Sequence, residues 1–248
     1  MRKTLKKLES RIIPEETNNK FFAQELKAYE FASPSVSGRR ILELGSGDGY
    51  GAAYLAQTAK EVIAVGYEEE VVLRAREKYI RPNLKFLCMD VTEIAFKDNS
   101  FDILCSFQVI EHIFEDRLSA YFSEIKRVLK NCGEFYISTL NLENNMKSPL
   151  TYQKNPAHCK EFVLKEFKSL LESVFPSVEI FGLYLTPKHR FYLSLKKTGI
   201  FKLLPPGLNP VRKFYDKVTT NDFFVLPVNR RKAIDLYAIC KNLKAPGQ

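Results

Sequence analysis

The residues best suited to chemistry fall into two groups. The first is a run of alternating glycines, Gly45, Gly47, Gly49 and Gly51, inside the stretch ILELGSGDGYG from Ile41 to Gly51. The acid Glu43 stands two positions ahead of the first glycine. Residues without a Cβ let a turn be tight and let its backbone approach a ligand closely. The amides of a helix starting just beyond such a turn have no partner within the helix and point at that ligand. The second group is the three histidines, His112, His158 and His189, of which His112 directly follows Glu111. Imidazole exchanges protons near neutrality and ligates metals. A nucleotide-type binding turn and a proton-handling or metal-ligating pair are therefore the chemistry to place.

The elements that must position these groups alternate. Ile41 to Leu44 reads as a short buried strand, with a helix beginning near Gly49 or Tyr50 and carrying the small residues Ala52, Ala53 and Ala56. Further strands are expected at Glu61–Val65, Leu84–Cys88, Phe101–Phe107, Glu134–Leu140, Val178–Leu183 and Ile234–Cys240. Helices are expected at Glu68–Tyr79 and Phe162–Val174. The clearest helix places Leu118, Tyr121, Phe122, Ile125, Val128 and Leu129 on one face, and Asn131-Cys132-Gly133 reads as its end. Alternation from residue 40 to 185 argues for an α/β fold, a parallel sheet covered on both faces. Ligands of such sheets lie beyond the carboxyl ends of the strands. The loops after Leu44, Val65, Cys88, Phe107 and Leu140 should meet there, which would bring His112 and His158 to one edge.

Bulk properties narrow the class. The 248 residues are 45% hydrophobic and 27% charged, a balance that fits one or two soluble globular domains. Five dispersed cysteines, 88, 105, 132, 159 and 240, form no Cys-x-x-Cys pair. The odd count and the apolar settings of Cys88, Cys105 and Cys240 suggest reduced thiols and a cytoplasmic setting. No apolar run is long enough to span a bilayer, and basic Met1–Arg11 lacks the apolar core of a secretory signal. Residues 1 to 32 read as two helices interrupted at Pro14, one with Leu5, Leu8 and Ile12 on a face and one through Phe21 to Phe31. Ser33-Pro34-Ser35 reads as a linker. The expected domains are a helical segment, 1–34, and a main domain, 35–248, with an insertion at about 185–233 that is helical at 188–204.

The glycine spacing is not the Gly-x-Gly-x-x-Gly of dinucleotide sites, and no acid follows about 20 residues on in the required place, which disfavours an NAD-type dehydrogenase. The Gly-x-Gly-x-Gly pattern behind Glu43 resembles motif I of the class I S-adenosylmethionine methyltransferases. The likeness continues through Tyr29-Glu30-Phe31-Ala32, Cys88-Met89-Asp90, Ser100-Phe101-Asp102, Phe107-Gln108-Val109-Ile110-Glu111-His112, Arg127-Val128-Leu129-Lys130, Ser138-Thr139-Leu140-Asn141, Asn155-Pro156-Ala157-His158 and Glu161-Phe162. Taken in order over roughly residues 26 to 185, these stretches look most like the type-11 methyltransferase group, which has members associated with glycan and small-molecule biosynthesis. The resemblance implies a doubly wound, seven-stranded, mostly parallel sheet of order 3-2-1-4-5-7-6 with the last strand antiparallel.

It also implies roles. Gly45, Ser46, Gly47 and Gly49 would lie along the methionine and ribose parts of S-adenosylmethionine, and Glu43 would orient the turn and the cofactor amino group. Asp90 would bind the adenine amine with Val91 beside it, and Phe107 would flank the methionine moiety. One position departs: where the family has an acid for the ribose hydroxyls, this chain has Gly66. Glu68 could reach instead, and Tyr67 could stack on adenine, while Glu69 and Glu70 suit the positive end of the following helix. Glu111, His112 and His158 are the candidates for general base. With Gln108 they also resemble a divalent-metal site of small-RNA and ubiquinone-pathway O-methyltransferases, though Gln108 replaces a Glu and removes one charge, so the expectation is no resident metal.

The expected reaction is methyl transfer to a hydroxyl of a small-molecule or glycan intermediate. The rival readings are a nucleic-acid acceptor, which the net charge of +9 suits, and a catalytically silent binding protein, which Gly66 and Gln108 suit. Lys188-His189-Arg190 reads as surface. The basic and apolar residues interleaved from Arg190 to Leu204 suit a substrate lid or a peripheral contact with an anionic membrane.

Overall fold

A computed structural model describes residues 12–146, 152–228 and 233–242. Its centre is β1 (Arg40–Leu44), flanked by β2 (Glu61–Gly66) and β4 (Phe101–Phe107); β3 (Leu84–Cys88) pairs outside β2 and β5 (Leu129–Leu140) outside β4, all parallel. The last strand, β8 (Asp235–Lys241), runs antiparallel between β5 and β6 (Ser177–Leu185). An added strand, β7 (Phe223–Pro227), closes the edge beside β6. The order is therefore β3-β2-β1-β4-β5-β8-β6-β7. The expected order holds, and the eighth strand comes from the insertion.

The helices between these strands are α1 (Asn19–Val36), α2 (Tyr50–Leu55), α3 (Glu69–Lys78), α4 (Leu118–Val128), the single turn α5 (Leu142–Asn145), α6 (Leu164–Val174), α7 (Pro187–Thr198) and α8 (Pro210–Tyr215). Alternation along the strands splits the core between the two sheet faces. Ile41 joins Val62, Ile103 and Cys105 on one face. Leu42 and Leu44 join Ile63, Val65 and Leu104 on the other. The expected face of α4 is buried through Tyr121, Phe122, Ile125 and Val128.

Four local readings are corrected. Ser33-Pro34-Ser35 is the last turn of α1 and not a linker, because burial of Ala28, Tyr29, Ala32 and Val36 carries the helix past the proline. Asn131-Cys132-Gly133 lies within β5, where a register shift between Phe101 and Ile103 absorbs it. The insertion helix stops at Thr198, since Gly199 takes the left-handed conformation with φ 73° that ends a helix. Cys88 is exposed, whereas Cys105 and Cys240 are buried as expected. The expected helix face of Leu5 and Leu8 lies outside the described residues. Among the described residues, no helix is long and apolar enough to cross a membrane.

Candidate active site

The carboxyl ends of β1, β2, β4 and β5 form one edge, and the glycine turn lies on it. The turn is tied to β2, whose Val65 carbonyl accepts from the Gly45 and Ser46 amides at 2.8 and 2.9 Å. The glycines do different work. A Cβ on Gly45 would lie 2.4 Å from Val109, one on Gly49 2.8 Å from the Phe86 ring, and one on Gly51 1.9 Å from the Tyr29 ring. These three let neighbouring side chains close in. Gly47, with φ 52°, would place a Cβ within 4 Å of nothing described, so it is the glycine that faces open space. Left-handed φ favours glycine there, and the missing side chain leaves a cradle.

Glu43 sits beneath this turn, 1% exposed. Tyr29, from α1, donates its hydroxyl to Glu43 Oε1 at 2.6 Å, while Oε2 is buried without a partner among the described residues. Burial pushes the Glu43 carboxyl up to about 7, against the opposing pull of the Tyr29 bond. The Ser46 hydroxyl is likewise buried without a described partner. Two orphaned buried polar atoms beside an open glycine cradle are what a polar, cationic ligand such as S-adenosylmethionine would satisfy. The residues present fit that group.

The second strand ends differently. A Cβ on Gly66 would stand 3.2 Å from Val72 and 3.5 Å from Ser46 Oγ, so a larger side chain is crowded there. Glu68 is half-buried at the start of α3, while Glu69 and Glu70 are exposed in its first turn. Tyr67 is exposed beside them. After β3, Asp90 is half-buried near Val91. Its Oδ1 accepts from the Thr92 amide at 2.9 Å and the Thr92 hydroxyl at 2.8 Å, and its Oδ2 pairs with Arg117 at 2.9 Å. Burial alone would raise this carboxyl, but these bonds outweigh it and hold it below the ordinary value.

The loop after β4 supplies the rest. Phe107 is buried, with its ring 4.9 Å from that of Tyr29. Gln108 takes φ 54°, which turns the chain sharply into a single helical turn, Ile110–His112. Glu111 is 1% exposed and accepts from Thr139 Oγ1 at 3.1 Å. Burial pushes its carboxyl up to about 8. His112 and His158 do converge, with ring centroids 5.0 Å apart. His112 Nδ1 lies 3.0 Å from the Ala157 carbonyl, which must accept, so the proton is on Nδ1 and Nε2 is the basic nitrogen. His158 Nδ1 lies 2.6 Å from Glu161 Oε1, and Asn155 donates to His158 Nε2 at 3.3 Å. Glu161 is itself buried and bonded by the Tyr152 hydroxyl.

Glu111, His112 and His158 each offer a ligand atom within 4.8 Å of the others. This nitrogen-rich set suits a borderline transition ion better than magnesium. Beyond them, Asp235 at the start of β8 is buried and accepts from Gln24 of α1 at 2.8 Å. His189 is far from a surface residue: it is fully buried, with its ring within 5.6 Å of those of Phe214, Tyr215 and Phe223. The apolar residues of the insertion close over it.

Several participants escaped sequence reasoning. Arg117 and Thr92 carry no motif that marks them, and Thr139 lies in a stretch that carries the family likeness without a role of its own. Glu161 could have been found, because a carboxylate three residues from His158 can reach its imidazole. The Tyr29 hydroxyl could not, since its partner lies across two elements.

Comparison with known proteins points to the same cofactor class. Residues 42–137 match the Methyltransf_11 family, described as a methyltransferase domain. A protein of Mycobacterium tuberculosis named a probable S-adenosylmethionine-dependent methyltransferase is 33% identical over 185 residues, 73% of this chain and 65% of that one. A similarly named protein of Mycolicibacterium smegmatis is 34% identical over 164 residues, 65% of this chain and 61% of that one. The chain thus spans somewhat less than two thirds of these relatives. In fold it is similar to a Thermotoga maritima structure described as a possible histamine N-methyltransferase, with TM-score 0.60, 16% identity, and coverage of 90% of this chain and 93% of that one. By its glycine turn, its sheet order and these likenesses, the chain carries a class I S-adenosylmethionine-dependent methyltransferase domain.

Proposed function

We propose that this chain transfers a methyl group from S-adenosylmethionine to a hydroxyl of a small-molecule or glycan intermediate, with His158 as general base. When bound, the cofactor supplies an electrophilic sulfonium methyl group and leaves as a neutral thioether. Gly47 and the turn amides would hold its polar end, Glu43 its ammonium group, and Asp90 its base. The Ser46 hydroxyl and the half-buried Glu68 would take the ribose contacts that an acid at position 66 makes in relatives. The protein then supplies alignment and one proton acceptor.

The observation that carries the choice of base is the His158–Glu161 contact at 2.6 Å. A carboxylate at Nδ1 fixes the tautomer, so Nε2 takes the hydroxyl proton once the acceptor displaces the Asn155 amide that donates to it at 3.3 Å. The methyl acceptor oxygen gains carbon as it loses hydrogen, so the proton resides on His158 until solvent removes it. Glu111, held near 8 by burial, is largely protonated at neutral pH and is the poorer base.

The test is methyl transfer from labelled cofactor to a panel of hydroxyl acceptors, with and without exhaustive chelation. Turnover that survives chelation and falls about 100-fold or more in His158→Gln supports the base. Turnover abolished by chelation and restored by a divalent ion would instead make His158 a ligand. Transfer confined to RNA or to amines would overturn the acceptor class.

A further inference from the structure

The insertion presents a surface that the methyl-transfer site does not use. Between α7 and α8 the chain makes a projecting loop in which Lys202, Leu203, Leu204, Pro205, Pro206, Gly207 and Leu208 are all exposed. Leu203 is 96% exposed, Ile200 70%, and Leu208 67%. Phe191 on α7 is exposed as well. Such a concentration of open aliphatic side chains is uncommon on a monomer surface and marks a contact.

The loop is built to present them. Gly199 turns the chain out of α7, and the Lys202 amide closes on the Gly199 carbonyl at 3.0 Å. Asn209 ties the far end back, donating from Nδ2 to the Phe201 carbonyl at 2.7 Å, and the Leu208 amide meets the Pro205 carbonyl at 2.9 Å. Two adjacent prolines stiffen the turn between Leu204 and Leu208. Below the loop, Tyr192 of α7 stacks on Phe214 of α8 at 4.2 Å with the planes 5° apart, fixing the helices that carry it.

The charge around the loop identifies the partner. From Pro187 to Lys217 there are eight cations, at positions 188, 190, 196, 197, 202, 212, 213 and 217, against one acid, Asp216. All eight are exposed. An apolar tip ringed by cations matches the two layers of an anionic bilayer surface: aliphatic side chains enter the acyl boundary while lysines and arginines remain among the headgroups. A second copy of this chain would bring the same positive ring against itself, and a nucleic acid would leave the leucines in water.

We propose that the loop from Ile200 to Leu208, with the cations of α7 and α8, docks the protein on an anionic membrane surface. The test is sedimentation of the full chain with phosphatidylcholine vesicles, with and without phosphatidylglycerol, at low and high salt. Binding is expected only with the anionic lipid and should weaken as salt screens it. Leu203→Asp with Leu208→Asp should reduce partitioning at least about tenfold, since a single buried leucine contributes roughly that factor. Lys202→Gln with Lys213→Gln should reduce it roughly fivefold per cation. Neither pair contacts the methyl-transfer site, so cofactor binding should be unchanged and reports correct folding. Lys97→Gln with Lys168→Gln removes equal charge outside the insertion and should have little effect. The proposal is overturned by absence of binding to anionic vesicles, by equal losses in the control pair, or by a dimer in solution that Leu203→Asp dissociates.

Discussion

The Glu43 carboxyl lies under the glycine turn with a pKa of about 7, one hydroxyl donor at 2.6 Å, and one oxygen unpartnered. At pH 6 about 0.9 of the free protein should carry a proton there, about 0.5 at pH 7 and about 0.1 at pH 8. A ligand ammonium group against this carboxyl requires it ionised. Binding should therefore expel about 0.9 proton at pH 6 and almost none at pH 8. Titration calorimetry with the demethylated cofactor, in two buffers of different ionisation enthalpy, counts these protons directly. Tyr29→Phe removes a charge-assisted hydrogen bond worth about 1.5–3 kcal/mol. That corresponds to an upward shift of roughly one to two pKa units. The midpoint of proton release should accordingly move from about pH 7 to about pH 8–9, while affinity at neutral pH falls. Release that does not vary between pH 6 and 8 in the native protein, or a midpoint unmoved in Tyr29→Phe, would refute the reasoning.

Three further outcomes follow from the same geometry. Glu43 and Glu111 are raised from 4.5 to about 7 and about 8, so between those values the folded chain holds more protons than the unfolded one. Stability of the cofactor-free protein should then fall as pH rises from about 5 to 8, by as much as roughly 3 kcal/mol for each group, and thermal melts across that range check it. Gly51→Ala would drive a methyl group into the Tyr29 ring, so a loss of about 1–3 kcal/mol in denaturant unfolding is expected, with weaker cofactor binding because Tyr29 is pushed off Glu43. Glu161→Gln should lower kcat about 10- to 100-fold with little change in KM, since it removes the carboxylate that orients His158.

The legible parts of the chain were those where one local pattern served one purpose. The amphipathic period of α4 and the apolar strands β1 and β4 were read correctly because burial alone decides them. The insertion resisted for the opposite reason. Its β7 is held by pairing with β6 from 40 residues earlier, and His189 is buried only because three aromatic rings from α8 and β7 close on it. Neither contact leaves a local trace beside Lys188 and Arg190. Pro34 misled because a helix breaker weighs little against a continuous buried face. At the site, residue types placed Glu43, Asp90, His112 and His158 on one edge. Which oxygen or nitrogen each would offer depends on Tyr29, Arg117 and Ala157, whose partners lie far off in the sequence, and on Glu161, which alone stands close to its own. The glycine run looked uniform, yet three of its members accommodate protein side chains and Gly47 alone faces open space.

The central claim is that this turn holds S-adenosylmethionine although Gly66 stands where an acid is usual. Calorimetric titration of the full chain with the demethylated cofactor tests it most directly. The account predicts saturable binding in the micromolar range, weakened about tenfold or more by Gly47→Val, whose side chain would enter the cradle and strain a left-handed backbone. Absence of binding at high micromolar ligand, or equal affinity in Gly47→Val, would contradict it.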